Sequence, residues 1–527
     1  MKSYIGCFFI FPLFLTSSLF SVTGPRLVCP DEVRPIILDY IGSNKVLANE
    51  QFNDSLQQYL IKEGYSFAQV DTTESLGIIT IEIKAGFYGK PTISGNDYLS
   101  ESTILNNLAW DSGELFNYKE FYTQSSRLNR NRFIKLDTKL KPIRSNDGEI
   151  QVNADFTVKD SFPITPYIKI SNDGTEQSSG WRTTAGFEIW EGLFSNDRVN
   201  LAYTLDPKDA SQLSSYFASY QINYNRLAHT IYAGYSDSEY ENVTSSSLNM
   251  DIAGDGFFAG YTGAFSFGSS DPESFALTFG FSYLNLESQI YLGSNRLLAS
   301  SEDLSLLLPR IGFRGKTSNL GIFRGNSFWS ILAVSDLSSS KNEELIVQNP
   351  ELRKGFWVPK ASFALVEPIS FSGENGGIKL KLDGQASNKP LPTSLKKSLG
   401  GMSSIRGYKE REAFGDSGVS LNLEYSLESE ISSIFGFDGT LQKIFFYDAG
   451  HVSNEGLMSS VNDSVDMHSF GVGILGNFED ITDISLQVGV PLTDTLNTRT
   501  HETRTHFSIN FRCFLFFSVY TIKSKIK

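Results

Sequence analysis

Two short segments of the chain carry charged residues in settings where they could form a specific contact. Arg406 lies among Gly400, Gly401 and Gly407, and glycines allow a backbone to turn tightly. Asp448 comes later, in a segment with the alternation of a β-strand. A guanidinium can bind a carboxylate through two parallel charge-assisted hydrogen bonds. The chemistry open to these residues is therefore ion pairing rather than catalysis.

Motifs of catalysis and cofactor binding are weak in this sequence. Residues 471–476 match the Gly-x-Gly-x-x-Gly dinucleotide pattern, but neither a following helix nor a βαβ unit is predicted. We expect these glycines on a strand, where they leave room for a bulky neighbour. Residues 315–317 lack the first glycine of a phosphate loop, the five histidines form no zinc motif, and no nucleophile elbow occurs. We therefore predict no enzyme, no cofactor and no metal site.

The composition favours a membrane β-barrel. The 527 residues include 41 Phe, 23 Tyr and 44 Gly, yet the mean hydropathy is −0.17. Beyond the N-terminus we find no apolar run of the ~18 residues that a membrane-spanning helix needs. Barrel strands instead alternate outward apolar and inward polar residues, which leaves the average hydropathy near neutral. The formal net charge of −14 argues against nucleic acid as a partner.

The N-terminal residues 1–24 have the features of a secretory signal peptide. A lysine precedes an almost wholly apolar run at 5–20, and small residues follow it. A membrane anchor is the alternative interpretation. Cys7 would leave with the signal, and Cys29 and Cys513 lie at opposite ends of the remaining sequence. We therefore expect no structural disulfide.

Two small α+β segments are predicted to follow the signal. The first, 31–86, is predicted to contain a strand at 34–40, a helix at 50–63 and strands at 66–71 and 77–84. The second, 87–160, is predicted to contain a strand at 89–96, helices at 102–108 and 117–129, and strands at 132–142 and 148–158. On this prediction the first segment lacks one of the two helices of the second.

From residue 163 the pattern changes to a long series of alternating segments. Residues 181–189, for example, place aromatic and aliphatic side chains on one face and Arg182 and Glu188 on the other. The roughly 355 residues of 163–517 suit ~16 strands, with about 22 residues for each strand and its connection. A soluble β-sandwich or solenoid is the alternative. The length of the series behind an export signal favours an antiparallel transmembrane barrel, so the predicted fold class is mainly β.

The segment 399–424, read together with 446–450, resembles the transporter (TpsB) family of two-partner secretion, the ShlB/FhaC/HecB haemolysin secretion and activation type. It runs Leu-Gly-Gly-Met-Ser-Ser-Ile-Arg-Gly-Tyr, and a Phe-x-Asp-x-Gly strand follows. In this family the arginine lies on a loop folded back into the pore, and the aspartate faces it from the wall. The resemblance thus implies that Arg406 and Asp448 form a pore-loop lock, with Glu424 as a second acceptor. The supporting motif residues are Gly400, Gly401, Gly407, Tyr408, Phe446 and Gly450.

The alternative for this pair is an ordinary solvated loop arginine and an ordinary pore-lining acid. The resemblance also assigns the two α+β segments to polypeptide-transport-associated (POTRA) domains, which could bind an extended client along a strand edge. We expect such edges at 77–84 and 148–158. Some relatives have an N-terminal helix that plugs the pore, and the short stretch before residue 31 leads us to expect none here. Family barrels usually end on an aromatic residue of the last strand, whereas here the tail 518–527 continues with three lysines.

The function that the resemblance implies is secretion of one dedicated exoprotein across the outer membrane of a Gram-negative-type bacterium. The expected partners are this exoprotein and outer-membrane lipid, with a monomeric barrel and periplasmic POTRA-like domains. An outer-membrane protein insertion factor of the same superfamily is the first alternative, although such proteins usually carry three or more POTRA domains. A passive porin is the second alternative, and it leaves residues 31–160 unexplained.

Overall fold

The computed structural model describes residues 25–512 with internal gaps, which are 130, 132, 145–148, 176–177, 192–193, 195–196, 225, 246–247, 268–273, 293–296, 338–354, 372–373, 435–436, 456–463 and 479–480. The chain divides into two compact units. One takes in the chain up to residue 94 with 108–128 and 136–158, and the other takes in the remainder, including the barrel. The predicted signal peptide, the tail 518–527, Cys7 and Cys513 lie outside the described residues. Cys29 is a free thiol.

The first α+β segment is a three-stranded sheet with two helices. Its elements are β1 Arg26–Val28, α1 Arg34–Ser43, α2 Glu50–Lys62, β2 Gln69–Ser75 and β3 Ile78–Lys84. The central strand β3 runs parallel to β1 and antiparallel to β2. Helix α2 begins at Asn49, whose side chain accepts the amide of Phe52 at 2.9 Å, and it buries Phe52, Leu56 and Leu60 against the sheet. The apolar spacing that predicted this helix therefore marks its buried face.

The strand predicted at 34–40 is wrong, because this segment forms α1. Pro35 lies in the first turn of the helix, where the missing amide N–H has no intrahelical partner to lose. Val33 and Ile37 lie four residues apart, and both are fully buried in the core that α2 and the sheet share. The first segment therefore has both helices, and the prediction that it lacks one is also wrong.

The second α+β segment repeats the order strand, helix, helix, strand, strand, as predicted. Its elements are β4 Gly86–Ser94, α3 Glu101–Leu108, α4 Tyr118–Asn129, β5 Ile134–Arg144 and β6 Ile150–Asp160. Trp110 lies at the centre of an aromatic cluster, with ring centroids 4.7 Å from Tyr88, 5.8 Å from Phe121 and 5.2 Å from Phe156. Its indole N–H donates to the Gly89 carbonyl at 3.1 Å. In the described part of the chain, no helix has the length and apolarity needed to cross a membrane.

The strands predicted to offer free edges to a client are the central strands of their sheets. Residues 77–84 form β3 in the order β1-β3-β2, and residues 148–158 form β6 in the order β4-β6-β5. A central strand has its backbone groups paired on both sides, so it cannot accept a further strand. This prediction is wrong, and the edge strands are β1 and β2 of the first sheet and β4 and β5 of the second.

The remaining strands form a closed barrel of sixteen antiparallel strands, which confirms the predicted fold. They are β7 Ile164–Ser171, β8 Arg182–Trp190, β9 Asp197–Leu205, β10 Ser214–Tyr224, β11 Leu227–Ser245, β12 Leu248–Ser266, β13 Phe275–Leu292, β14 Leu297–Ser318, β15 Asn326–Ser335, β16 Trp357–Phe371, β17 Glu374–Gln385, β20 Ser417–Ile434, β21 Phe437–Ser453, β22 Ser464–Phe478, β23 Thr482–Pro491 and β24 Arg504–Arg512. The short strands β18 Lys397–Leu399 and β19 Ala413–Gly415 pair with each other outside the barrel sheet. Pairing of β24 with β7, with Ser508 opposite Ser171, closes the ring, so the barrel has no free edge.

Side-chain alternation distinguishes the two faces of the barrel wall. On β21, Phe445 and Tyr447 are 52% and 37% exposed, whereas Phe446 and Asp448 are 4% and 0% exposed. Outward side chains meet no other protein segment, because a barrel has no second layer on that side. The buried pair faces the barrel interior, where a folded connection covers it. The alternation therefore sets which residues of each strand can contact a lumenal segment.

Candidate functional site

The connection between β17 and β20, residues 386–416, packs against the inner face of the barrel, and we call it the lumenal loop. The hairpin of β18 and β19 forms its stem. Its tip turns at Gly400, Gly401 and Gly407, whose φ angles are 104°, 91° and 94°. Such left-handed backbone angles favour glycine because other residues pay a steric penalty there. These turns carry Arg406 to the inner wall, as the resemblance implied.

Arg406 and Asp448 form a bidentate ion pair inside the barrel. The Nε of Arg406 donates to Oδ2 of Asp448 at 2.7 Å, and Nη2 donates to Oδ1 at 2.6 Å. The backbone N–H of Arg406 adds a third bond to Oδ2 at 3.0 Å. The residues are 4% and 0% exposed. The alternative of a solvated loop arginine is therefore excluded, and the geometry is the two-pronged contact that a guanidinium and a carboxylate form best.

Three further side chains hold the same guanidinium. Its Nη1 donates to Glu424 on β20 at 2.6 Å and to Gln487 on β23 at 2.9 Å. The Cζ atom of Arg406 lies 3.6 Å from the ring centroid of Phe446, which is a close cation–π contact. Burial opposes the charge, but the hydrogen bonds and charge of Asp448 outweigh it and raise the pKa of Arg406 above its usual range. The arginine is thus fully charged in a site built for a cation.

Asp448 also has a neutral partner that the motif does not reveal. Asn422, its cross-strand neighbour on β20, donates from Nδ2 to Oδ1 of Asp448 at 2.9 Å and also donates to the Ser404 carbonyl of the loop. Asn422 therefore bridges the wall and the loop. An alternating strand places Asn422 on the inner face, but only the register with β21 brings it to Asp448.

Tyr408 attaches the other side of the loop tip to β22 and to the connection after β23. The side chain is fully buried. Its hydroxyl lies 2.7 Å from the Thr493 hydroxyl and 2.9 Å from the His468 and Thr493 carbonyls. The amides of His468 and Thr493 approach the same oxygen at 3.3 Å. The neighbouring amide of Gly407 donates to Nε2 of His506 on β24 at 3.1 Å. The Arg-Gly-Tyr motif therefore contacts all five strands from β20 to β24.

The base of the lumenal loop is held by Asp416, which the sequence motifs did not select as a site residue. This carboxylate is fully buried. It accepts the amides of Leu391 and Glu455, each at 2.7 Å, and Nζ of Lys396 lies 3.3 Å away. Asp416 lies at the end of the loop, and its partners come from the first part of the loop and from the connection after β21. No local pattern indicates such a convergence, because each partner is distant in sequence.

Glycines of the barrel wall make room for the loop and its contacts. A side-chain carbon added to Gly450 would lie 2.9 Å from Leu399 and 3.0 Å from Ile405 of the loop. One added to Gly471 would collide with the ring of Phe446, the side chain that stacks on Arg406. The pattern at 471–476 thus belongs to the continuous barrel strand β22. This agrees with the expectation that its glycines accommodate a bulky neighbour.

The structure brings together nearly all of the predicted site residues. Arg406 contacts Asp448, Glu424 and Phe446 directly, while Gly450 lines the wall beside the loop. The predicted glycines and Tyr408 shape and attach the loop tip, as described above. The residues that sequence reasoning missed are Asp416, Asn422, Gln487, Thr493 and His506.

A sixteen-strand barrel that holds an arginine loop against its inner wall defines an outer-membrane barrel of the polypeptide-transporting type. Two solved structures of this type resemble the chain. CdiB from Escherichia coli has a TM-score of 0.74 at 15% identity, covering 95% of this chain and 94% of that one. CdiB from Acinetobacter baumannii has a TM-score of 0.68 at 17% identity, covering 93% and 90% of the two chains. At such identities these likenesses show the fold.

The family is shown by the sequence itself. Residues 148–476 match the model of the haemolysin secretion/activation proteins ShlB/FhaC/HecB, and the chain belongs to this family. The resemblance found in the motifs is thereby confirmed, and the protein is an outer-membrane secretion transporter whose family works with a secreted exoprotein. BamA from Haemophilus ducreyi lacking POTRA domains 1–3 is a more distant likeness, with a TM-score of 0.50 at 16% identity over 93% of this chain and 99% of that one. No curated protein sequence matches the chain.

Proposed function

We propose that this protein secretes one dedicated exoprotein through its barrel, and that the Arg406–Asp448 pair is the lock that the exoprotein opens. The observation that supports the proposal most strongly is the buried bidentate pair between the lumenal loop and the barrel wall. The exoprotein, or client, arrives unfolded in the periplasm and threads through the lumen. Folding outside the cell supplies the direction of transport, so no nucleotide is needed.

The strength of the lock follows from its burial. Removing one partner of a buried ion pair typically costs ~3–5 kcal/mol, because the other charge is left without compensation. The contacts of Tyr408 and Asn422 add to this free energy. The seated loop is therefore strongly favoured at rest, and the protein avoids an open hole in the membrane. A client must replace these contacts in part as it enters.

The α+β segments support capture of the client before it enters the barrel. We place both in the periplasm as POTRA-like domains, one at 31–86 and the other at 87–160. The edge strands β2 and β5 are the surfaces where an extended client adds as a further strand through backbone hydrogen bonds, which tolerate many sequences. Strand β5 exposes Lys135 and Lys139, while Lys141 pairs with Asp155 of β6. The two lysines favour a client segment with acidic side chains there.

The barrel at 163–517 is proposed to act as a monomer in contact with outer-membrane lipid. Its outward Phe445, Tyr447 and Phe470 side chains suit this surrounding, since each is more than a third exposed. The closed ring of strands needs no partner chain to satisfy its backbone. We propose neither a catalytic activity nor a cofactor for the chain.

Deletion of the gene in the native bacterium tests the proposal. Mass spectrometry of the culture medium and of the outer membrane then compares the deletion strain with the same strain complemented by the wild-type gene. We expect one large exoprotein to disappear from the medium while the other outer-membrane barrels remain. Loss of many outer-membrane barrels would instead identify an insertion factor. Loss of a solute uptake activity with a normal exoprotein pattern would identify a porin.

A further inference from the structure

The inner wall of the barrel between β14 and β17 carries a row of cations that the lock does not use. On β14 the outward side chains are apolar, among them Leu307, Ile311 and Phe313, which are all well exposed. Side chains of a strand alternate between faces, so the residues between them point inward. The inward cations of these strands are Arg310, Arg314, Lys316, Lys360, Lys379 and Lys381. We call these six residues the basic wall.

Among the described residues, no carboxylate pairs with a side chain of the basic wall. Asp383, the acid on the inner face of β17, is held instead by Lys397 of the lumenal loop. Arg310 donates to the hydroxyl of Tyr232, and its buried Nε has no hydrogen-bond partner in the described part of the chain. Lys316 lies 5.9 Å from the ring centroid of Phe328 and forms no ion pair with any residue that the structure describes. Asp383 lies close enough to Lys360 to act on its charge. Among the described residues, the positive charge of the basic wall is therefore only partly compensated.

Three inward-facing cations on other strands of the barrel are paired. Arg182 on β8 lies 3.4 Å from Asp206, and Arg198 on β9 lies 3.5 Å from Glu188. Arg512 on β24 lies 2.6 Å from Asp483. The inward cations of these strands are paired with acids, whereas those of β14–β17 form no ion pair among the described residues. The two sides of the pore therefore differ in charge. An unbalanced side inside low-dielectric walls focuses its field into the lumen and attracts ions of the opposite sign.

The basic wall ends beside the lock. Lys379 is the cross-strand neighbour of Glu424, and Lys381 is the cross-strand neighbour of Asn422. Both lysines line a small polar cavity together with Arg406 and Ser403 of the lumenal loop and with Glu424, whose carboxylate binds Arg406. Both lysine side chains are exposed within this space. A chain that passes the seated loop therefore meets these two ammonium groups next to the arginine it must release.

We infer that the basic wall binds the carboxylate side chains of the client as an extended acidic segment passes through the lumen. This inference rests on the proposed function and names the chemistry of its client. Successive inward positions on one strand lie about 6.6 Å apart, the spacing of same-face side chains in an extended polypeptide. Each exposed contact is weak, because water and salt screen the charges. Several weak contacts bind the passing client without trapping it, because transport through a pore requires binding that is weak enough for release.

Binding of a model acidic chain to the purified full-length protein tests the inference. The probe is fluorescein-labelled poly-L-glutamate, followed by fluorescence anisotropy in detergent at low ionic strength. We expect the double variant K379Q/K381Q to bind about tenfold more weakly than wild type, because two exposed charge contacts are lost. The matched control K45Q/K62Q removes two exposed lysines of the first α+β segment, and we expect it to bind as wild type does. Equal affinity of wild type and K379Q/K381Q would overturn the inference.

Two further measurements test the inference separately. They distinguish its failure from misfolding of a variant and from failure of the proposed function. K379R/K381R keeps both charges, so it should retain the binding of wild type if charge is the cause. Loss of binding in this variant with a barrel that still shows heat-modifiable migration in gels would overturn the inference. In planar bilayers, poly-L-glutamate should block the wild-type channel at lower concentration than poly-L-lysine, and the reverse order would also overturn it. Neither result depends on whether the gene deletion removes an exoprotein from the medium.

Discussion

Gly489 of β23 lies directly against Gly407 of the lumenal loop, backbone to backbone. A side-chain carbon added to Gly489 would lie 2.5 Å from the Gly407 nitrogen and 2.7 Å from the carbonyl carbon of Arg406. Real side-chain carbons do not approach backbone atoms this closely. The wall position thus excludes any side chain so that the Arg-Gly-Tyr tip can reach its partners. The fit of the loop is set by the wall as much as by the loop.

Replacing Gly489 by alanine should push the tip away from the wall. Overpacking of this kind typically costs ~1–3 kcal/mol, and here the cost falls on the seated loop rather than on the barrel ladder. We expect larger and more frequent openings in single-channel recordings. The matched control is Gly384→Ala on β17, where the nearest atom would lie 3.8 Å from the added carbon. Equal conductance of both variants and wild type would contradict the close fit of Gly489 and Gly407.

Breaking the Arg406–Asp448 pair should release the loop. Asp448→Asn removes the charge that faces the guanidinium, at a cost typical of a broken buried pair, ~3–5 kcal/mol. Arg406→Lys keeps the positive charge but cannot make the bidentate contact and also reach Glu424. We expect both variants to open the channel and to change secretion of the exoprotein. Channel recordings and an assay of the culture medium measure the two effects.

The variant Glu424→Gln serves as the graded control for that experiment. Glu424 makes one bond to the guanidinium and is 18% exposed, whereas Asp448 is fully buried. Its loss should therefore open the channel less than the loss of Asp448. A barrel that secretes normally and shows an unchanged conductance in both Arg406→Lys and Asp448→Asn would rule out a lock.

The Tyr408 hydroxyl should contribute separately to loop seating. Tyr408→Phe leaves the partly buried amide of Thr493 without this acceptor, and an unpaired buried polar group costs ~1–3 kcal/mol. The His468 amide keeps the Thr493 hydroxyl at 3.2 Å. We expect faster hydrogen exchange of residues 399–415, measured by mass spectrometry on the reconstituted protein. Tyr425→Phe, on β20, removes a hydroxyl that makes no contact with the loop and should leave this exchange unchanged. Unchanged exchange in Tyr408→Phe would show that the ring alone holds the tip.

Glu410 should make loop seating depend on pH. It lies in the loop, where burial raises its pKa from 4.5 to about 7, although the Met402 amide donates to it at 2.7 Å. The seated loop therefore binds a proton more tightly than a released loop does. The stabilisation is complete below the ordinary pKa of the carboxyl and is lost as the pH rises through about 7. We expect channel opening to become more frequent between about pH 5.5 and about pH 8.

Glu410→Gln should remove most of this pH dependence, because the amide does not titrate. The other charged groups that act on Glu410 are Asp173, Arg411 and Arg504, and Nδ1 of His506 lies 3.9 Å from its Oε1. His506→Gln therefore tests whether the histidine contributes to the profile. A pH profile of Glu410→Gln that matches wild type would assign the effect to another group.

Local patterns in the sequence predicted the barrel and selected Arg406 and Asp448. Strict alternation over segments such as 181–189 predicted strands with one apolar face, because side chains of a strand point alternately to two faces. Arg406 and Asp448 could be selected because the glycines around the arginine and the Phe-x-Asp-x-Gly strand are local signals that carry the family resemblance. The helix α1 was mistaken for a strand, since a short apolar run has no clear period and the proline that starts the helix also suits an extended segment.

The tertiary structure alone decided which residues contact the lumenal loop and which strands lie at the edges of the two small sheets. Gln487 and His506 lie 81 and 99 residues from the loop residues they bind, and only the register of β23 and β24 brings them to the lumen. Whether β3 and β6 are central or edge strands depends on the order of strands in each sheet, which no local pattern encodes. The basic wall likewise exists only because the closed barrel places distant strands side by side. A local sequence specifies the conformation and the two faces of each strand, whereas neighbours across the barrel are specified by packing of the whole chain.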